Sequence, residues 1–156
     1  MKNKFMLIFA ILLCELAGVI GAFFTIPSIE GWYYELIKPS FSPPNWLFGP
    51  VWTILYFLMG VSAYLVWERG IKKKNVKNSL LIFGVQLVLN ILWSILFFGL
   101  QSPLLGFICI VLLWIAIAVT IIKFYRISKT AGLLQVPYIL WVTFATVLNF
   151  FIWIVN

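Results

Sequence analysis

The sequence predicts an all-α integral membrane protein, a five-transmembrane-helix bundle whose first loop forms an extracytoplasmic lid. Three observations carry this. The chain of 156 residues is 64% hydrophobic and only 10% charged, with a mean hydropathy of +1.11. No water-soluble domain of this size covers so much apolar side chain with so little charge. Five stretches are each long enough to cross about 30 Å of hydrocarbon at about 20 residues per span. Finally, all basic residues but Lys38 fall on one side of those stretches.

The first span is expected at roughly Phe5–Ile26. Lys2 and Lys4 precede it as in a signal peptide, but Glu15 interrupts the apolar run and no small-x-small cleavage site follows, so a retained helix is expected. Cys14 resembles a lipoprotein cysteine only superficially, since bulky Leu13 stands where a small residue is needed. Glu15, Gly18 and Ala22 share one face. The pairs Ala17/Gly21 and Gly18/Ala22 have the spacing that lets helices approach closely, so Glu15 should look into the bundle. Two readings of Glu15 stand side by side. An intramembrane carboxylate is a functional candidate because its ionised form is costly there, or it is a protonated acid bonded to a neighbouring helix.

Residues 27–44 form the first loop. The run Trp32–Tyr56 holds eight aromatics and four prolines, with only Glu35 and Lys38 charged. Connecting segments usually consist of small polar and turn-forming residues, so an aromatic, proline-stiffened one suggests a ligand-covering flap. The second span is expected at Asn45–Trp67, with Gly49-Pro50 starting or kinking it, and places Trp52 and Tyr56 at i, i+4. The third, Ser79–Leu100, carries Gln86, Asn90, Trp93 and Phe97 on one face. The fourth is Pro103–Tyr125. The fifth, Leu134–Val155, aligns Tyr138, Trp141, Ala145, Asn149 and Trp153. Little chain is left over, so residues 1–156 are expected to form a single membrane domain.

With five spans, one face carries Lys2, Lys4, Arg69, Lys72, Lys73, Lys74, Lys77, Lys123, Arg126 and Lys129. By the positive-inside rule the N-terminus is cytoplasmic, while loop 27–44 and the C-terminus are extracytoplasmic, in a multi-pass protein of the cell membrane. The net charge of +7 is thereby explained by topology and by anionic lipid headgroups of the bilayer, so no nucleic-acid partner is expected. Cys14 and Cys109 both fall within spans and read as packed thiols.

The chain has no histidine. With two buried cysteines and four acids, no cluster suited to zinc or iron is available, so no metal site and no cofactor are expected. Ser–His and Cys–His nucleophile pairs are impossible, and no glycine-rich phosphate loop is present.

Lipid-facing positions would not carry Gln or Asn amides, because unpaired polar groups are costly in hydrocarbon. The stripes of the second, third and fifth spans should therefore face each other. Amides among indoles describe an apolar small-molecule pocket with a few directional groups, and broad aromatic walls suit a flat conjugated ligand. Small Ala145 leaves room for one. Alternatively, Asn90 and Asn149 bond helices together, and Trp67 and Trp153 are interfacial belt residues. Trp93 and Trp141 lie too deep for the belt.

The motifs WYxxLxKPxxxPPxW (Trp32–Trp46), FGPVWxxLY (Phe48–Tyr56), NxxWxxxFFG (Asn90–Gly99) and PYxxWxxFATxLN (Pro137–Asn149) resemble the TspO/translocator-protein family, the tryptophan-rich sensory proteins. They occur in order over nearly the whole chain. The resemblance implies a five-helix homodimer that binds tetrapyrroles such as protoporphyrin IX, haem-like porphyrins and aromatic benzodiazepine-type drugs. It also implies, as in some bacterial members, light- and oxygen-dependent porphyrin breakdown. By motif position the implied ligand-binding residues are Trp32, Tyr33, Trp52, Tyr56, Asn90, Trp93, Trp141 and Ala145, with Trp52 and Trp141 carrying any photochemical breakdown. Animal members carry a cholesterol-recognition stretch near their end that needs a Tyr and then a basic residue. Here Leu148–Asn156 reads LNFFIWIVN, with Phe150 in place of Tyr, which argues against steroid transport. Glu15 has no place in that pattern.

The expected function is a membrane receptor or sensor for porphyrins or other planar aromatics, with Lys38 either meeting a propionate or solvated. The rivals are a small proton-coupled exporter of hydrophobic compounds using Glu15, and a non-catalytic membrane partner protein.

Overall fold

The computed structural model describes residues 3–156; Lys2, one of the basic residues used for orientation, lies outside them. The described chain is helical, and five helices are long and apolar enough to cross a membrane. Its elements are α1 (Lys4–Ile29), α2 (Trp32–Glu35), a 3-10 turn (Asn45–Leu47), α3 (Phe48–Trp67), α4 (Lys74–Ser94) continuing into a π turn (Ile95–Gly99), α5 (Pro103–Ile127), α6 (Lys129–Leu134) and α7 (Val136–Val155).

Local chemistry sets the helix starts. Asn3, Ser102 and Ser128 each accept a backbone N–H of the following turn, from Met6, Leu105 and Ala131, which satisfies one of the donors left open at a helix start. Pro103 follows its cap in the first turn, where a missing N–H costs nothing. Gly49-Pro50 falls in the first turn of α3, so Pro50 begins this helix and does not kink it.

Three boundaries differ from the sequence reading. The third span starts at Lys74, well before Ser79, because hydropathy marks where a helix enters lipid and not where its hydrogen bonds begin. The first runs on to Ile29 through Pro27. The segment 126–133, left between the fourth and fifth expected spans, is helical almost throughout, with Ser128 capping α6. Gln135 then joins α6 to α7, and its Nε2 donates to Ser62 Oγ at 3.1 Å. Ser62 Oγ in turn donates to the Ala131 carbonyl at 2.7 Å, pinning α6 to α3.

In the bundle α1 packs against α3 and α4, and α5 packs against α4 and α7. The tightest approach is at Gly60 of α3, where an added Cβ would sit 2.5 Å from the Ile11 Cα of α1. Gly18 of α1 similarly leaves space for the Tyr56 ring; a Cβ there would lie 2.6 Å from ring carbon Cε2. On α1, Gly18 thus admits α3, and Gly21 admits α4, where an added Cβ would lie 3.1 Å from Ser94 Oγ, in keeping with the small-residue spacing.

The π turn shapes the end of α4. The Leu100 amide reaches back to the Ile95 carbonyl at 2.8 Å, an i→i+5 bond, and the wider turn lets consecutive Phe97 and Phe98 both be buried. Such turns recur at functional sites. Gln101, at φ 54°, then takes the left-handed conformation that reverses the chain into α5.

Candidate ligand cavity

A cavity of about 470 Å³ opens among α1, α3, α4 and α7, with Tyr33 of α2 at one end. Its size falls in the range of about 300–1,000 Å³ usual for small-molecule sites. The facing stripes expected on the second, third and fifth spans do meet here. Tyr56 Oη donates to Asn90 Oδ1 at 2.5 Å. Asn90 Nδ2 donates to Tyr138 Oη at 2.7 Å, and Tyr138 Oη donates to Gln86 Oε1 at 2.7 Å. This buried chain ties α3, α4 and α7 together. A second link runs from Trp93 Nε1 to Asn149 Oδ1 at 3.0 Å and from Asn149 Nδ2 to the Pro103 carbonyl at 2.8 Å. Both amides therefore bond helices together and also face the cavity.

Of the residues singled out from the sequence, Tyr33, Trp52, Tyr56, Asn90, Trp93, Trp141 and Ala145 all line this space. Trp52 lies nearly parallel to Tyr56, with ring centroids 5.6 Å apart, and its edge meets Tyr138 at 6.2 Å. Trp93 stacks on Phe97 at 5.2 Å. Trp141 packs against Phe48 and Phe144, and its Nε1 is buried with no hydrogen-bond partner. Trp32 stands apart: its indole packs edge-on against Phe97 at 5.6 Å and supports the wall from behind. Trp153 stacks on Phe107 at 5.7 Å, on the lipid-facing side, and does not line the cavity.

The sequence reading missed one wall. α1 contributes Glu15, Gly18, Gly21, Ala22 and Thr25. Its small residues carry no polar or aromatic signal; only the small-residue spacing around Glu15 hinted at an inward face. The cavity opens between α1 and the start of α3, where lining residues Val19, Ile26 and Trp46 are themselves 65%, 70% and 71% exposed.

The segment over the cavity is tied down at several points. Tyr33 is only 2% exposed and packs on Phe97 and Phe98. Burial pushes its hydroxyl up from 10.0 to about 12. The Lys38 ammonium donates to the carbonyls of Tyr33, Leu36 and Tyr34 at 2.8, 3.2 and 3.3 Å, and lies 4.7 Å over the Tyr33 ring. Its three donors are thus spent on closing the α2 turn, and burial lowers its pKa. Farther along, the Ile37 N–H donates to Asn156 Oδ1 at 3.0 Å, and Asn156 Nδ2 returns a bond to the Ile37 carbonyl at 2.8 Å. Phe41 packs against Phe144 and Phe151 of α7.

Five apolar helices, a cavity walled by tryptophan and tyrosine inside the bundle, and a stapled aromatic loop over one end define a multi-pass membrane protein of the receptor or sensor type. Comparison with known proteins then gives the family. The model of the TspO/MBR family matches residues 10–154, and the chain belongs to that family. It is 52% identical to the tryptophan-rich protein TspO of Chlorobaculum tepidum, over 88% of this chain and 87% of that one. It is 49% identical to the tryptophan-rich protein TspO of Archaeoglobus fulgidus, over 99% of both chains. It is also 38% identical to the translocator protein of Homo sapiens, over 88% of this chain and 85% of that one.

Proposed function

We propose that this protein is a membrane receptor that binds tetrapyrroles, protoporphyrin IX among them, and other planar aromatic compounds inside the bundle. The observation that carries the reading is the cavity of about 470 Å³ walled by Trp52, Tyr56, Trp93 and Trp141, whose ring faces suit stacking on a flat conjugated ligand. Ala145 leaves space on α7, and Tyr33 closes the lid end. The segment 27–44 acts as the lid on the extracytoplasmic side of the cell membrane, with the basic face in the cytoplasm. The chain is one membrane domain, and it works as a homodimer. Trp32 acts as a positioning residue for the Phe97 wall.

Bound porphyrin absorbs light, and the electron-rich indoles of Trp52 and Trp141 exchange electrons with it or with its oxygen products, giving light- and oxygen-dependent breakdown. Titration of protoporphyrin IX against tryptophan fluorescence, followed by timed illumination in air, tests this. Trp52→Phe and Trp141→Phe should each weaken binding several-fold, by about 1 kcal/mol of lost aromatic contact, and slow bleaching. Wild-type binding and bleaching in both variants would contradict the assignment.

Glu15 in the cavity wall supports a second reading, a proton-coupled exporter of hydrophobic compounds. Proton release on ligand addition that disappears in Glu15→Gln is its test.

A further inference from the structure

Six polar side chains of the cavity wall are engaged within the protein, whereas Trp141 Nε1 is buried without a partner. Thr25 and Thr53 donate to carbonyls of their own helices, Gly21 and Gly49. Tyr56, Asn90, Trp93 and Asn149 hold one another and their neighbours across the helices. No hydrogen bond or ion pair reaches the Glu15 carboxyl from the described residues, and Glu15 is the one acid lining the cavity, with no Lys or Arg beside it there. Lys38, the basic residue of the lid segment, is spent on three carbonyls.

The order of lining residues along each helix gives the depth. α1 lines the cavity from Glu15 to Ile29, α3 from Phe48 to Tyr56, α4 from Asn90 to Phe98 and α7 from Trp141 to Ile152. Glu15, Tyr56, Asn90 and Trp141 are therefore the lining residues farthest from the lid, and they form a floor. At this floor Tyr56 and Asn90 are engaged, Trp141 Nε1 is a neutral donor without a partner, and Glu15 carries the one formal charge of the lining, so the floor is polarised toward cations. It accepts a positively charged nitrogen or an N–H donor and repels a carboxylate. A partner cation also makes the ionised acid tolerable at this depth, since a paired charge is cheaper to hold in hydrocarbon than a lone one.

We propose that Glu15 sets the polarity of ligand recognition: planar aromatics bearing a protonated or N–H nitrogen are selected with that nitrogen at the floor, and carboxylate-bearing ligands bind with their acids turned to the mouth. The inference rests on the receptor reading above and adds to it the chemical class and the orientation of the ligand.

Two tricyclic probes of equal size test it, 9-aminoacridine as the cation and 9-anthracenecarboxylate as the anion, titrated against the protein in nanodiscs of neutral lipid. Wild type should favour the amine by about tenfold, the scale of one charge-assisted contact. Glu15→Gln should bring the two affinities together, while Glu15→Asp, which keeps the charge, retains the preference. Equal affinities in wild type, or a preference that survives Glu15→Gln, overturns the proposal. If Glu15→Gln fails to melt cooperatively, the wild-type ratio decides alone. Protoporphyrin IX titrated into wild type separates the two readings: bound protoporphyrin without discrimination between the probes removes only the role of Glu15, and absence of binding by all three ligands removes both.

Discussion

Tyr56 and Asn90 are joined by a buried hydrogen bond of 2.5 Å between α3 and α4, and Asn90 passes the link to Tyr138 of α7. The same tyrosine and asparagine line the cavity, so the groups that hold the walls together also face the candidate ligand space. Tyr56→Phe keeps the ring and removes the donor, leaving Asn90 Oδ1 unpaired. Bonds of this kind in membranes contribute about 0.6–1.7 kcal/mol, and leaving the acceptor bare costs about 1–3 kcal/mol. A loss of about 1 kcal/mol, seen as a lower melting temperature, is expected.

Two glycines make the seam between α1 and α3, and they should respond unequally. A Cβ at Gly60 would press on the backbone of Ile11, whereas one at Gly18 would press on the Tyr56 ring. Backbone yields less readily than a side chain. Gly60→Ala should therefore destabilise more than Gly18→Ala, by about 1–3 kcal/mol for overpacking. Gly18→Ala should also tilt Tyr56 and shrink the cavity, which melting curves and a ligand titration on both variants would separate.

The two deep tryptophans differ in what their N–H groups do. Trp93 Nε1 donates to Asn149 at 3.0 Å, while Trp141 Nε1 has no partner. Trp93→Phe should cost about 1 kcal/mol more than Trp141→Phe, because only the first strands an acceptor. Comparing chemical or thermal unfolding of the two variants reads this directly.

Much of this site is legible in the sequence because polar residues inside an apolar helix have few places to go. The amides of Gln86, Asn90 and Asn149 mark the inward faces by polarity alone, and Trp52, Tyr56, Trp93 and Trp141 follow by helical spacing. The α1 wall is harder to read, since Gly21, Ala22 and Thr25 look alike whether they face a cavity, a helix or lipid. The capping role of Lys38 is hidden for another reason: a lysine in a loop carries no mark of which carbonyls it will find. Helix ends that pass beyond the apolar run, as at Lys74, leave no hydropathy signal either.

The lid should loosen in alkali. Burial raises the Tyr33 hydroxyl from 10.0 to about 12, so the folded lid favours the neutral phenol. Its contribution is complete below pH 10 and is lost as the pH climbs toward about 12. Stability measured over that window should fall less steeply in Tyr33→Phe than in wild type, and matching slopes would contradict the burial argument.

The central claim is that the space between α1, α3, α4 and α7 is where the ligand sits, and filling it tests this most directly. Ala145 lines the cavity and makes no side-chain hydrogen bond, so Ala145→Phe occupies the space without cutting the Tyr56–Asn90–Tyr138 chain. Protoporphyrin IX titrated into Ala145→Phe, with its melting temperature measured alongside, should bind at least about tenfold more weakly while the protein still melts cooperatively. Wild-type affinity in a folded Ala145→Phe protein would place the ligand elsewhere and contradict the account.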